Sequence, residues 1–80
     1  MGGFMKVILD QYDVKDILKF IRQSTGLTQK QYGEIIGKSK ESIKSYELGR
    51  SKMSFNDFIY VCKLFNIKVI IEKKDEFIMN

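Results

Sequence analysis

The chain has no histidine, no proline and a single cysteine, Cys62, in its 80 residues. Without histidine, a cysteine pair or a close carboxylate cluster, no transition-metal site can be assembled. Serine is frequent, but no histidine is present to activate it as a nucleophile. Gly33 and Gly37 lack the lysine-threonine ending of a phosphate-binding loop. No catalysis and no cofactor are therefore expected. One cysteine cannot close an internal disulfide, which points to a reducing compartment and so to the cytoplasm. No apolar run comes near the length of a membrane span, and none resembles the core of a signal peptide. What is present is 44% hydrophobic and 12% aromatic, too apolar for a disordered chain. The length fits one small domain spanning 1–80.

The net charge is +4, and its placement says more than its size. Residues 38–52 hold Lys38, Lys40, Lys44, Arg50 and Lys52 against Glu41 and Glu47, a net +3 in fifteen residues. A local basic field suits a polyanion such as nucleic acid, and equally a plain solvated surface.

The 4–10 stretch, FMKVILD, reads as a short strand. Asp13 then caps a helix in which Val14, Ile17, Leu18 and Ile21 share one face as far as about Thr25, where Gly26 stops it. Thr28 caps a second helix with Tyr32, Ile35 and Ile36 apolar, ended by Gly37. Ser39 begins a third, ended by Gly49. Ser54 begins a fourth, the most apolar, with Phe55, Phe58, Ile59, Cys62 and Phe65 at helical spacing. Asn66 suits its left-handed terminus. Alternation over 67–73 predicts a second strand. The order is β-α-α-α-α-β, with a helical core at about 13–66. The two strands can pair with each other, or the second can pair across a two-fold axis in a dimer.

The helices at 28–36 and 39–48 meet at Gly37-Lys38. Glycine there permits a sharp crossing, and Gly33 lets the second helix approach closely. Ile36, Ile43 and Tyr46 supply the apolar contact. This is the spacing of a helix-turn-helix.

At these residues the chain resembles the phage Cro/repressor-type helix-turn-helix, the XRE family. The likeness runs from about Leu18 to Ile67. It rests on GLTQ at 26–29, the small Gly33, Gly37, S-x-x-S-I at 39–43, Y-E-x-G-R at 46–50 and the apolar fourth helix. Lys38, Tyr32, Leu48 and Met53 depart from the family's usual valine, leucine, asparagine and proline. Lys38 is expected to loosen the turn. The resemblance implies a mainly α, compact four-helix lambda-repressor-like domain that binds double-stranded DNA. It also implies that Gln29 clamps a phosphate, and that Glu47 forms a partly buried pair with Arg22.

Helical geometry places Ile43, Tyr46 and Glu47 on one side of the 39–48 helix. Glu41, Lys44, Ser45 and Leu48 point away, and Lys40 and Ser42 flank the first turn. The outer side is available to a major groove. Lys40 and Lys44 can donate to guanine or fall back to phosphate, Ser42 and Ser45 can donate or accept, and Glu41 can accept from cytosine N4. Glu41 can equally be a first-turn stabiliser of its helix. Gln29, Ser39, Arg50, Lys52 and Ser54 are the expected phosphate contacts. Cys62 reads as a buried small apolar residue, the alternative being a redox sensor. One such helix spans few base pairs, so a homodimer acting as a transcriptional repressor is expected. The alternative is a protein-interaction module, antitoxin-like or a phage-encoded partner protein. It would work through the terminal strands and the apolar 77–79.

Overall fold

Each helix starts immediately after a residue that the sequence marks as a cap. The computed structural model describes residues 12–71. Within them lie α1 (Val14–Thr25), α2 (Gln29–Ile36), α3 (Lys40–Leu48) and α4 (Phe55–Leu64). Asp13 precedes α1, and its backbone N–H donates to Asp16 Oδ2 at 3.3 Å. Thr28 and Gln31 form a reciprocal capping box, with bonds of 3.1 and 3.0 Å. Ser39 Oγ accepts from the Ser42 N–H, and Ser54 Oγ from the Asp57 N–H. These bonds satisfy amides that no helix can satisfy by itself. At the other ends Gly37 and Gly49 take the left-handed conformation at φ +78°, and Asn66 does so after α4 at φ +58°.

The core gathers where α2 and α3 meet α4. Tyr32, Ile36, Ile43 and Val61 are buried together, with Ile21, Leu27, Tyr46, Met53 and Phe65 packed around them. Tyr32 and Phe65 stack with ring centroids 5.5 Å apart. Leu18 and Cys62 are also buried.

Two apolar assignments need correction. Val14 is exposed, on the rim of a shallow groove shared with Leu18 and Tyr46. In α4, Phe55 is 72% exposed, while Val61 at 1% is among the most buried side chains of the protein. Of the expected stripe, Phe58, Ile59, Cys62 and Phe65 are buried or half-buried, and Val61 takes the place of Phe55. Phe55 and Val61 both continue this stripe at helical spacing, so periodicity alone does not choose between them.

The strand expected at 4–10 lies outside the described residues. The one expected at 67–73 is not formed over 67–71, and Ile71 is 89% exposed. Alternation makes a strand only where a neighbouring chain completes the ladder, and no described segment does so here.

Burial pushes the Tyr32 phenol up to about 12, with the Glu47 carboxylate adding to the shift. The unfolded chain loses this proton near pH 10. The folded state thus holds more protons between about pH 10 and 12, and stability falls as pH rises through that window. The loss from this group is on the order of 3 kcal/mol. Tyr32→Phe is expected to flatten that part of the profile in urea melts run at increasing alkaline pH. An unchanged slope would assign the loss to other groups.

Candidate nucleic-acid interface

The turn between α2 and α3 is set by two glycines with different duties. Gly37 supplies the left-handed residue that ends α2. The Lys38 N–H then returns to the Gly33 carbonyl at 2.8 Å. That bond draws the turn over Gly33, where any Cβ would collide with the Lys38 carbonyl oxygen and lie 3.4 Å from Ile43 Cγ1. Gly33 therefore makes room first for the turn's own backbone, and only second for α3. Shortening Ile43 would not relieve a side chain at position 33, because the nearer obstacle is main chain.

Lys38, which departs from the family's valine, reaches out of the turn. Its ammonium lies 2.7 Å from Asp57 Oδ2 in the first turn of α4. The pair raises the Lys38 pKa and lowers that of Asp57. Charge here ties the helix-turn-helix to the next helix. No local spacing rule reveals this contact, since the partners sit in separate elements.

On its inner side α3 is held by Ile43, 1% exposed, by Tyr46 and by Glu47. The Glu47 carboxylate receives two parallel bonds from Arg22 of α1, Nε to Oε2 at 2.7 Å and Nη2 to Oε1 at 3.0 Å. The side chains are 14% exposed for Arg22 and 5% for Glu47. Arg22 Nη1 also donates to the Leu27 carbonyl at 3.0 Å. The hydrogen bond from Glu47 raises the Arg22 pKa further, against a smaller opposing effect of burial. Glu47 Oε1 accepts a third bond, from Gln29 Nε2 at 3.2 Å. A carboxylate only accepts, so it fixes which end of the Gln29 carboxamide faces it.

The outer side of α3 is different. Lys40, Glu41, Lys44 and Leu48 are exposed. Among the described residues, Lys40, Glu41 and Lys44 make no ion pair or side-chain hydrogen bond. Ser42 and Ser45 are half-buried and engaged: Ser42 Oγ accepts from Ser39 Oγ at 3.0 Å, and Ser45 Oγ from Ser51 Oγ at 2.8 Å. The Ser45 carbonyl also receives the Arg50 N–H at 2.9 Å, which folds the segment after α3 back on itself. Ser39, Arg50, Lys52 and Ser54 are exposed, and Gln29 is half-buried.

Two helices crossing at a glycine turn, one of them with an uncommitted polar outer face, form a helix-turn-helix. Residues 18–70, well over half of the chain, match the family model described as helix-turn-helix. The chain belongs to the XRE-type helix-turn-helix family. No curated protein and no solved structure shows a significant match to it.

XRE-type proteins bind DNA sequence-specifically through this motif, and the family is one of regulators, not of enzymes. Among the described residues, no helix of this XRE-type chain is long and apolar enough to cross a membrane. The matched span takes in α2, the turn, α3 and α4 entire. The contacts that sequence reasoning missed include Lys38 to Asp57, Ser39 to Ser42, Ser51 to Ser45, and Gln29 to Glu47.

Proposed function

We propose that this protein is a dimeric transcriptional repressor, a single cytoplasmic domain that occupies operators by laying α3 in the major groove. Lys40, Glu41 and Lys44 face base edges, with Ser42 and Ser45 beside them. Gln29, Ser39, Arg50, Lys52 and Ser54 hold the flanking phosphates. The observation that carries this reading is the division of α3. Ile43, Tyr46 and Glu47 hold its inner side, while Lys40, Glu41 and Lys44 are exposed and have no partner among the described residues. A groove-bound helix needs that arrangement.

Duplexes selected from a random pool by the full-length protein are expected to be palindromic, with half-sites about one helical turn apart. Affinity for the selected site should fall steeply with salt, because each phosphate contact releases condensed counterions. Lys40→Ala combined with Lys44→Ala is expected to lower that affinity by roughly a hundredfold while leaving the thermal midpoint nearly unchanged. Binding that ignores both salt and this double substitution would refute the proposal.

A second reading draws on Val69, Ile70 and Ile71, exposed apolar residues after α4. It makes the same fold a protein-interaction module. Function that survives the double lysine substitution but is lost on deleting 75–80 would favour it.

A further inference from the structure

We infer that Glu41 is the specificity-determining residue of α3, and that it selects a C·G base pair beside a G·C pair read by a lysine. The inference rests on the proposal that α3 enters the major groove, and it commits that reading to a class of operator.

The argument begins with which side chains near the groove are still available. Adenine is read best by a carboxamide, which bonds N6 and N7 together. Two glutamines belong to the motif, and each has one end of its carboxamide already bonded, so neither is free to turn both ends towards an adenine. Gln29 donates to Glu47 Oε1, and Gln31 Oε1 closes the Thr28 capping box. The outer face of α3 contains no asparagine, glutamine or arginine. Its two serine hydroxyls each already accept a bond from a neighbouring serine. The ionic groups in the first half of α3, two ammonium groups and one carboxylate, have no partner among the described residues.

Their chemistry is complementary. Lysine donates to guanine O6 and N7, and a carboxylate accepts from cytosine N4. Adenine also offers an amino donor, but its N7 acceptor lies beside it and repels a carboxylate. Cytosine places no ring acceptor in the groove. Glu41 is next to Lys40 in sequence and three residues before Lys44, about 4.5 Å along the helix axis, the scale of one base-pair step. Neither lysine neutralises it within the protein, as no ion pair joins them among the described residues. In the groove those ammonium groups would cover the guanine acceptors that surround the cytosine donor. A carboxylate so close to phosphates weakens binding to random DNA, so its contribution is to discrimination.

The test is selection of sites from random duplexes, at two salt concentrations, by the full-length wild type, Glu41→Gln and Glu41→Ala. The wild type is expected to select a half-site with one invariant C·G pair. Replacing that pair should weaken binding by roughly tenfold to a hundredfold. Glu41→Gln should change the preference at that one position to A·T and leave the others alone. Glu41→Ala should relax the same position and strengthen binding to random duplex. If all three proteins select the same site, Glu41 does not read a base and the inference fails, while the major-groove reading stands. If the wild type enriches no sequence at either salt, both fail. Unchanged helical circular dichroism in the variants confirms that the comparison is between folded proteins.

Discussion

Glu47→Ala is expected to destabilise the fold by about 3–5 kcal/mol, the range for removing one partner of a buried ion pair. The size follows from what remains. Arg22 would keep its charge at 14% side-chain exposure with only the Leu27 carbonyl bond left among its described partners. Gln29 would lose its acceptor in the same step. A domain of this size has a total stability of at best twice that loss, on the order of 5–10 kcal/mol. At roughly 4–8 °C per kcal/mol, the midpoint should fall by more than ten degrees. Thermal melts followed by circular dichroism measure it, and an unmoved midpoint would remove Glu47 from any tethering role. Arg22→Met with Glu47→Leu should recover much of the loss, because a packed apolar pair leaves no buried charge behind.

Ile43→Ala should be nearly as damaging, at about 2–5 kcal/mol. Ile43 is 1% exposed and belongs to the cluster with Tyr32, Ile36 and Val61. The cavity would open where α3 meets α2, beside a turn whose backbone already sits on Gly33. There is little scope for collapse, since the Lys38–Gly33 backbone bond holds the turn against α2, with the partly exposed Lys38–Asp57 pair adding little. Ile43→Val, which removes one methylene, should lose only about 0.5–1.5 kcal/mol. Chemical denaturation of the three proteins checks the ranking. Similar midpoints for Ile43→Ala and Ile43→Val would mean that the site collapses after all.

What was legible in the sequence depends on the reach of each interaction. The caps at Asp13, Thr28, Ser39 and Ser54 act over three residues, so they can be read directly, and all four mark helix starts. Gly37, Gly49 and Asn66 could be placed because a left-handed terminus restricts residue type. One place in the α4 stripe could not be read. A helix apolar on several sides fits two stripes, and only packing against Tyr32 and Ile36 chooses Val61 over Phe55. The Arg22–Glu47 pair came from likeness to a family; spacing alone would not have found it. The Lys38–Asp57 pair and the Gln29–Glu47 bond had no signal, because opposite charges and amides are common and their partners lie on separate helices. For the interface, the division of α3 into an inner and an outer side was legible from helical geometry. The engagement of Ser42 and Ser45 was not, as it depends on Ser39 and on the path taken by Ser51.

The way α3 is bounded has a consequence for how such a protein can change. Its ends are fixed by Ser39 and Gly49, and its seat by Ile43, Tyr46 and Glu47. Of the three exposed positions, Lys40 and Lys44 contribute to neither, and Glu41 does so only through its charge in the first turn. Substitutions at surface positions of that kind usually move stability by no more than about 0.5 kcal/mol. On the proposed function, recognition can be rewritten one residue at a time at these positions, with the scaffold staying folded through every intermediate. A lineage built on this plan could acquire a new operator without passing through an unstable ancestor.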